Sequence, residues 1–163
     1  MEAGKCWMEV KNSTFGKGLF AEQNIYKGTT VLSIKGKMIF FQDTLSMDDE
    51  SYALQIDFDR YIVLQPPMVY CNHSCLPNCG INHHLELIAI KDINAGEELF
   101  WEYSTSMLER HWTMQCYCGT KHCRKQINDF DQLPAELQKQ YMEMKIVFPF
   151  IYQFLVNNIK KSA

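Results

Sequence analysis

Short runs of hydrophobic residues occupy much of the first hundred positions, and turn-forming residues separate them. The runs at 31–34 and 38–41 flank a Lys-Gly-Lys turn, whereas those at 52–57 and 61–64 fit a hairpin joined by Phe-Asp-Arg. A further run at 85–90 ends before an Asn-Ala-Gly turn. Runs of this length, rich in β-branched and aromatic residues and bounded by turn formers, predict β-strands. The first part of the chain is therefore predicted to be mainly β.

The hydrophobic pattern changes to a helical spacing after about residue 128. Apolar residues recur at intervals of three or four positions at Leu137, Tyr141, Met144 and Phe148. Pro134 suits the first turn of such a helix, and Pro149 is expected to break or kink it. A second helix is predicted for 150–159 on the same spacing. The acidic stretch 43–51 predicts an exposed loop or a single helical turn.

The composition predicts one compact domain. The chain has 163 residues, 47% of them hydrophobic, and a formal charge of −3 from 16 basic and 19 acidic side chains. A chain of this length buries roughly 70% of the surface that its unfolded form exposes, so its core needs no disulfide bonds. The negative balance disfavours a dedicated nucleic-acid interface, which needs a basic face, and we predict no direct contact with nucleic acid.

Targeting and membrane-spanning signals are not visible in the sequence. The first ten residues lack the apolar stretch of a signal peptide. The longest apolar run, 146–156, is far shorter than the roughly 20 residues that span a bilayer. We therefore expect a soluble intracellular protein in a reducing compartment, without a membrane partner. In such a compartment, clustered cysteines more often bind metal or catalyse than form disulfides, and this chain has seven cysteines.

Three of the cysteines, Cys116, Cys118 and Cys123, lie close together in the spacing Cys-x-Cys-x4-Cys. Thiolates on so short a segment can occupy three corners of a zinc tetrahedron, and Gly119 permits the turn between them. The candidates for a fourth ligand are Cys75, Cys79, Cys71, Cys6, His122 and His111. The alternatives are ordinary buried cysteines in a turn, and a catalytic zinc with an open coordination position.

Four segments carry the most specific signal in the chain. Residues 72–78 read Asn-His-Ser-Cys-Leu-Pro-Asn; Phe-Gly-Lys-Gly-Leu-Phe-Ala precedes them at 15–21, and Ala-Gly-Glu-Glu-Leu-Phe-Trp-Glu-Tyr follows at 95–103. With the cysteines of 116–123, these segments stand in the order that is found in SET domains, the fold of many protein lysine methyltransferases. From about residue 11 to residue 127 the chain resembles this family.

The resemblance implies a mainly β fold of small antiparallel sheets with a threaded, pseudoknot-like C-terminal segment. It divides the chain into a SET domain at 1–110, a zinc-bound post-SET segment at 111–128 and a helical tail at 129–163. We expect the tail to pack on the body. A dimer formed through the aromatic residues of the helical tail is the alternative.

The resemblance also implies that S-adenosylmethionine is the methyl donor. The residues expected to contact it are Gly16, Lys17, Gly18, Tyr52, Asn72, His73 and Tyr103. The two glycines would let backbone amides approach the cofactor, while Asn72 and His73 would hold its amino-acid end and its adenine region. Two departures from the family pattern bear on cofactor affinity and substrate choice: Ile34 replaces a channel tyrosine, and Val69 replaces an arginine.

By the same resemblance, Tyr103 is the catalytic residue, placed where methyl donor and acceptor meet. Methyl transfer to an amine is an in-line displacement that requires alignment and a deprotonated lysine, so we expect a narrow apolar channel. Trp101, Tyr52 and Ile81 are predicted to line this channel. Trp101 stands where family members that stop at monomethylation tend to have a tyrosine, which favours di- or trimethylation here.

The family pattern also selects the fourth zinc ligand. The ligands of one structural zinc ion would be Cys75, Cys116, Cys118 and Cys123. Cys79 remains a rival to Cys75, four positions away in the sequence. Cys71 and Cys6 are then expected to be small residues of the hydrophobic core.

The leading functional hypothesis is a protein-lysine N-methyltransferase that depends on S-adenosylmethionine. Its partner would be a lysine-containing protein or peptide, with a histone tail as one candidate and a nuclear or chromatin location to match. The alternative is a catalytically weak SET module that acts as a binding or scaffolding domain. A methyltransferase for a non-histone target is a third option, because no segment of the sequence reveals how a substrate would be selected.

Overall fold

The computed structural model describes residues 7–161, and side chains as far as residue 158. The strands are β1 (Met8–Ser13), β2 (Gly16–Ala21), β3 (Thr30–Ser33), β4 (Gly36–Phe40), β5 (Ala53–Asp57), β6 (Arg60–Leu64), β7 (Asn72–His73), β8 (Cys79–Ile81), β9 (Glu86–Ala89), β10 (Glu98–Trp101), β11 (Met114–Gln115) and β12 (Gln126–Ile127). The helices are α1 (Phe41–Thr44), α2 (Ala135–Glu143) and α3 (Pro149–Lys161). Cys6, predicted to be a core residue, lies outside the described part of the chain.

The strands form small sheets rather than one large one. Their orders are β1-β2-β10-β7, β3-β9-β8 and β4-β6-β5, and β11 pairs with β12. Neighbouring strands are antiparallel except β7 and β10, which pair in parallel. The fold class that the sequence predicts, mainly β with small antiparallel sheets and C-terminal helices, is confirmed.

The pairing of β10 with both β2 and β7 brings three sequence-distant segments together. Leu99 of β10 lies opposite Leu19 of β2, and Trp101 lies opposite His73 of β7. Leu19 and Leu99 have no exposed surface. A shift of one residue in this register would turn both leucines to the other face of the sheet, so their burial specifies the pairing. The segments 15–21, 72–78 and 95–103 therefore meet in one sheet.

The predicted strands are found with small shifts at their ends. The clearest difference is at Phe41, which was predicted to end a strand but begins α1. The reason is local, because the Asp43 carboxylate accepts a hydrogen bond from the Phe40 amide at 2.9 Å and caps a helical turn. The acidic stretch beyond α1 contains a second short turn, the 3₁₀ helix Glu50–Tyr52.

The C-terminal region differs from its predicted form at Pro149. The sequence predicts that Pro149 interrupts a helix running through residue 148, but α2 ends at Glu143, and Lys145 takes a φ of 58°. Pro149 instead begins α3. Proline suits a first helical turn because its missing amide hydrogen has no intrahelical partner there in any case. None of the helices in residues 7–161 has the length and apolar character needed to cross a membrane.

The α2–α3 region packs on the β-rich body and shares its core. Ile146 and Ile151 are buried in the same hydrophobic cluster as the central strands. Gly80 of β8 allows this approach, because a Cβ there would lie 2.5 Å from Ile146 Cγ2. The rings of Phe58 and Phe150 also make an edge contact, with centroids 5.4 Å apart. A dimer formed through the tail stays a prediction.

Candidate functional site

A cavity of about 670 Å³ opens beside the sheet that joins β2, β10 and β7. Its walls come from residues 15–17, 49–55, 69–73 and most of 112–118, together with Trp101 and Tyr103. The predicted site residues at this wall are Gly16, Lys17, Tyr52, Asn72, His73, Trp101 and Tyr103. Val69, the departure from the family's arginine, also borders the cavity.

Two predicted site residues do not reach the cavity wall. Gly18 lies on β2, and a Cβ there would collide with the carboxylate of Glu98, so strand packing requires this glycine. Ile81 lies on β8 with no exposed surface and belongs to the main hydrophobic core. The structure therefore places Gly18 in strand packing and Ile81 in the core, and their expected roles as a cofactor contact and a channel residue stay predictions.

Gly16 differs from Gly18, because the cavity lies open beside it. Its φ is 94°, in the left-handed region that favours glycine, and a Cβ there would meet no atom within 4 Å. Backbone groups of this turn can therefore approach a bound molecule closely. Lys17, the next residue along the cavity wall, carries a positive charge and holds its Nζ 5.1 Å from the centre of the Tyr70 ring.

Glu98 of β10 organises this end of the cavity, a role that no sequence motif indicated directly. Ser13 Oγ donates to both oxygens of the Glu98 carboxylate, at 2.8 and 2.9 Å. Asn72 Nδ2 donates to Glu98 Oε1 at 2.9 Å and to the Lys17 carbonyl at 3.0 Å. Asn72 thus ties the glycine turn to β10. Side chains alternate between the two faces of a strand, so Glu98 lies on the face of β10 opposite to that of buried Leu99. Only this alternation could have indicated Glu98 from the sequence.

Tyr103 follows β10 and directs its hydroxyl to the backbone of Cys71. Tyr103 OH donates to the Cys71 carbonyl at 3.0 Å, and Trp101 Nε1 donates to the same oxygen at 3.2 Å. Burial, with smaller contributions from Cys71 and Asp49, raises the pKa of Tyr103 well above its usual range. The phenol therefore stays protonated at neutral pH, and its oxygen keeps lone pairs for accepting a further hydrogen bond.

His73 lies against Tyr103 in the interior of the site. The Tyr103 amide donates to His73 Nδ1 at 3.3 Å, and the two rings meet edge to face with centroids 5.3 Å apart. His73 Nε2 lies 3.4 Å from the sulfur of Cys75. Burial, with a contribution from the charge of Arg124, lowers the pKa of His73 to about 3, so the imidazole is neutral.

Four cysteine sulfurs form a compact cluster behind this histidine. The cluster consists of Cys75, Cys116, Cys118 and Cys123, whose Sγ atoms all lie within 4.8 Å of one another. The Cys75–Cys116 and Cys116–Cys123 sulfur distances are 3.7 Å. Ligands of a tetrahedral zinc ion with Zn–S bonds of about 2.3 Å would be separated by about 3.8 Å. The dimensions of the cluster therefore fit a four-thiolate metal site.

Hydrogen bonds favour the thiolate form of one of these cysteines. Although burial opposes it, Thr120 lowers the pKa of Cys118 to about 6, and the Thr120 hydroxyl lies 3.4 Å from the Cys118 sulfur. The thiolate is the form that binds metals. The Arg124 amide also donates to Cys75 Sγ at 3.4 Å, which offsets negative charge on the cluster.

The other candidates for a fourth ligand lie elsewhere. Cys79 is fully buried in the main core, where burial raises its pKa to about 12. Cys71 is buried in the same core, with its sulfur 3.6 Å from the Leu99 carbonyl. His111 pairs with Glu50 at 2.9 Å. Among the described candidates, the structure thus brings Cys75, rather than Cys71, Cys79, His111 or His122, to the three cysteines of the segment.

A buried ion pair also connects the cysteine cluster to the strand that leads into Tyr103. Arg124 Nη2 contacts Glu102 Oε2 at 2.6 Å, and the Glu102 side chain is fully buried. The Ser104 amide donates to the other Glu102 oxygen at 3.2 Å. The sequence did not indicate this pair, because its two residues are 22 positions apart and belong to different motifs.

Carboxylates border another part of the cavity. Asp49, Glu50 and Glu109 all contribute to its wall. Tyr61 OH donates to Glu109 Oε2 at 2.6 Å, and the Trp112 amide donates to Glu109 Oε1 at 3.3 Å. Burial raises the pKa of Glu109, although the hydrogen bonds from Tyr61 and Trp112 work in the opposite direction.

Gln55 adds a polar group beside these carboxylates. Its Oε1 accepts a hydrogen bond from the Leu108 amide at 2.8 Å, but its buried Nε2 has no hydrogen-bond partner among the described residues. An unsatisfied buried donor is costly, so a group that accepts from it would be favoured. The cavity therefore offers an open turn at Gly16, the hydroxyl of Tyr103 and several carboxylates.

Comparison with known proteins agrees with this arrangement of motifs. The family model described as SET domain matches residues 16–104. Similar curated proteins include histone-lysine N-methyltransferase 2B of Homo sapiens, 28% identical over 137 residues, and histone-lysine N-methyltransferase trithorax of Drosophila virilis, 30% identical over 132 residues. The alignments cover 72% and 69% of this chain but only 5% and 3% of those proteins. The chain therefore spans a few per cent of the length of the curated relatives that it matches.

Proposed function

Because the chain belongs to the SET domain family, we propose that it is a protein-lysine N-methyltransferase with S-adenosylmethionine as its methyl donor. The observation that carries the proposal is the protonated Tyr103 hydroxyl in the wall of a cavity that also reaches the open turn at Gly16. The names of the relatives, histone-lysine N-methyltransferases, support the same reaction. A catalytically weak binding module is the alternative.

The residues near the glycine turn suit a cofactor with a charged amino-acid end. When bound, S-adenosylmethionine supplies a methyl group on a positively charged sulfur. Gly16 leaves space beside the backbone, and Lys17 offers a positive charge for a carboxylate. Asn72 holds the Lys17 carbonyl and so keeps the turn in place. Tyr52, nearly half exposed at the cavity wall, is proposed to border the cofactor or the lysine channel.

Tyr103 is proposed to orient the reacting amine rather than to remove its proton. Its hydroxyl donates to the Cys71 carbonyl and its pKa is raised, so it is a poor base at neutral pH. Its oxygen can accept a hydrogen bond from the lysine amine and hold it in line with the methyl group. Alignment of this kind contributes on the order of 7–11 kcal/mol to lowering a barrier. A desolvated cavity also favours the neutral amine that the reaction needs.

Trp101 is proposed to allow more than one methyl group to be added. Its only polar group, the indole N–H, already donates to the Cys71 carbonyl. The side chain therefore has no group left to hold a water molecule in the space that a further methyl group would occupy. This supports di- or trimethylation, although the size of the indole works in the opposite direction by narrowing the site.

The cysteine cluster is proposed to hold one structural zinc ion. The four sulfurs are spaced for a tetrahedral ion, and a site closed by four thiolates has no open position for catalysis. The segment 111–128 carries three of the cysteines and forms part of the cavity wall. The zinc site would therefore keep this wall in place.

The carboxylates at the cavity support a basic substrate. Asp49, Glu50 and Glu109 would attract a lysine-containing peptide. We propose a histone tail as the substrate, because the relatives are histone-lysine methyltransferases and histone tails are basic. A nuclear or chromatin location would follow from that substrate.

Incubation with radiolabelled S-adenosylmethionine and core histones tests the proposed reaction. We expect labelled histone with the native chain and a loss of about 10²-fold in rate for Tyr103→Phe, because the amine loses the group that orients it. The matched control is Tyr152→Phe, which changes an exposed tyrosine of α3 and should leave the rate unchanged. Equal labelling by Tyr103→Phe would contradict the role of this hydroxyl. Peptide binding without any labelling by the native chain would favour the binding module.

Mass spectrometry of the same reaction tests the role of Trp101. We expect di- or trimethylated lysine after long incubation with excess cofactor. Product that stays monomethylated while unmodified substrate is exhausted would show that the bulk of the indole, rather than its lack of a free polar group, decides the outcome.

A further inference from the structure

The His73 side chain lies between the cysteine cluster and the residue proposed to act in catalysis. Its Nε2 is 3.4 Å from Cys75 Sγ, and its Nδ1 is 3.3 Å from the Tyr103 amide nitrogen. Only 3% of the side chain is exposed. The pairing of β7 with β10 creates this arrangement, because it places His73 opposite Trp101, two residues before Tyr103.

The hydrogen bonds of this ring define which nitrogen carries the proton. Nδ1 of His73 has two neighbours, the Tyr103 amide at 3.3 Å and the Glu102 Oε1 acceptor at 3.5 Å. The amide can only donate and is the nearer of the two, so we assign Nδ1 as its acceptor, without a hydrogen. A neutral imidazole then holds its hydrogen on Nε2, which faces the sulfur of Cys75. If both ring nitrogens carried a hydrogen, the Nδ1–H of His73 would point at the backbone N–H of Tyr103, and the two groups would repel each other. The geometry therefore corresponds to an N–H···S hydrogen bond from His73 to Cys75.

We propose that His73 is a positioning residue that links the metal site to Tyr103. This inference rests on the proposed function, since it gives Tyr103 its role in methyl transfer. A donor to a ligating thiolate withdraws charge from the sulfur and fixes the direction in which it meets the metal. The same ring fixes the Tyr103 amide at its other nitrogen. A change in the metal site is thereby transmitted to the backbone that carries the reactive hydroxyl.

This role differs from the one expected from the sequence, which was contact with the cofactor. Both ring nitrogens of His73 already have partners within the protein, and the imidazole ring packs edge to face with the ring of Tyr103. The imidazole thus has no nitrogen free for a bound molecule. Any contact of His73 with the cofactor would involve its backbone or ring carbons.

His73 is not the sole connection between the cysteine cluster and Tyr103, and this limits the loss expected when His73 is replaced. Arg124 contacts Cys75 through its amide and Glu102 through its guanidinium, and so forms a second path from the cluster to the residue before Tyr103. Loss of the His73 hydrogen bonds should therefore weaken the coupling without abolishing the cluster. For partners of this kind, metal affinity or activity falls about 10–100-fold.

Cadmium substitution tests the hydrogen bond in the native chain, without any mutation. The 163-residue chain is labelled with ¹⁵N, loaded with ¹¹³Cd, and studied by NMR. We expect His73 to carry its proton on Nε2 and this proton to show scalar coupling to ¹¹³Cd through Cys75. A metal-loaded protein in which the proton lies on Nδ1, or in which Nε2–H shows no coupling, would overturn the proposal.

Cobalt substitution tests the effect of the hydrogen bond on the metal site. His73→Phe keeps an aromatic ring beside Tyr103 but removes both nitrogens; His84→Phe makes the same change at an exposed histidine outside the site. We expect a sulfur-to-cobalt charge-transfer band at longer wavelength and metal affinity about 10–100-fold lower for His73→Phe only. An unshifted band together with unchanged affinity would overturn the proposal.

A second variant separates the two ends of the link. His73→Asn can keep an acceptor near the position of Nδ1 but cannot reach Cys75, so it should show the spectral shift with a smaller loss of kcat than His73→Phe. If His73→Phe does not fold, His73→Asn can be measured in its place. These optical and NMR signals do not depend on methyl transfer. A native chain that shows them but transfers no methyl group would contradict the proposed function and leave the hydrogen bond established.

Discussion

Two regions of the cavity wall, the sheet of β2, β10 and β7 and the segment 111–128, are stabilised by different interactions. The sheet of β2, β10 and β7 is anchored by residues such as Leu19 and Leu99, which have no exposed surface and belong to the main core. The segment 111–128 contains only the two-residue strands β11 and β12. Its small separate cluster of buried residues consists of Cys75, Met107, Cys116 and Ile127.

This difference shows which part of the site should depend on metal. Burial of a leucine side chain contributes about 1.5–3 kcal/mol, and the central sheet collects many such residues. The cysteine segment buries few apolar groups, and without a metal its cysteines lose the metal–sulfur bonds that would join them. Metal binding then supplies the folding free energy of the segment. The wall near Tyr103 should be stable by itself, whereas the wall formed by 111–128 should be stable only when metal is bound.

Metal removal should have the largest effect and should fall on one region only. After treatment with a chelator, we expect rapid amide hydrogen exchange in 111–128, while β2 and β10 stay protected. The metal contributes on the order of 10–16 kcal/mol in small zinc-binding peptides. Methyl transfer should fall together with protection of the segment. Continued protection of 111–128 after complete loss of metal would contradict the proposed difference between the regions.

Arg124→Met should weaken the junction between the two regions. It leaves the fully buried Glu102 carboxylate without its cation, which costs about 3–5 kcal/mol of unfolding free energy. Lys139→Met is the control, because it removes an exposed cation paired with Glu143 and should cost no more than about 0.5 kcal/mol. Denaturant unfolding of the metal-loaded chain measures both.

The addition of Glu102→Gln to Arg124→Met should restore part of the lost stability, since no buried charge remains. An equal loss of stability in the single and double variants would mean that packing of the Arg124 side chain, rather than its charge, holds the junction.

Gly80→Ala should act on the body alone and leave the metal site intact. Its new methyl group would press on Ile146, and such overpacking costs about 1–3 kcal/mol. Ile146→Ala added to Gly80→Ala makes space for that methyl group, so the combined loss should be smaller than the sum of the two single losses. Thermal unfolding measures stability, and metal content should not change. Strict additivity would show that the two residues do not compete for space.

Glu109→Gln should have the smallest effect, because it removes only one charge from the cavity wall. Glu109 contacts Trp112 of the segment 111–128 and Tyr61 of β6. We expect KM for a basic peptide to rise about fivefold with little change in kcat, as for the loss of a partly exposed ion pair. Glu143→Gln is the exposed control. The raised pKa of Glu109 means that its charge is lost at a higher pH than usual as the solution is acidified.

The pH dependence sharpens this last test. In the native chain, KM for the basic peptide should increase as the pH falls towards the pKa of Glu109, because protonation removes the attractive charge. In Glu109→Gln the corresponding increase should be smaller. Parallel KM profiles for the two proteins would exclude Glu109 as the group that attracts the peptide.

Much of the fold could be predicted because its signals are local. The strands at 31–34, 52–57, 61–64 and 85–90 each show their β pattern within a few residues, and the helical spacing of the tail is equally local. The end of α2 could not be predicted, because Ile146 leaves the helical path to pack against Gly80 of a distant strand. Tertiary packing there overrides the helical spacing of Met144 and Phe148.

The sequence by itself determined the family, the mainly β class and the types of chemical group at the site, because each motif combines its residues within a short stretch. Tertiary structure alone decided which residues meet. It sent Ile81 to the core and placed His73 between Cys75 and Tyr103. The position of His73 follows from the parallel pairing of β7 and β10, a long-range arrangement that no local pattern encodes.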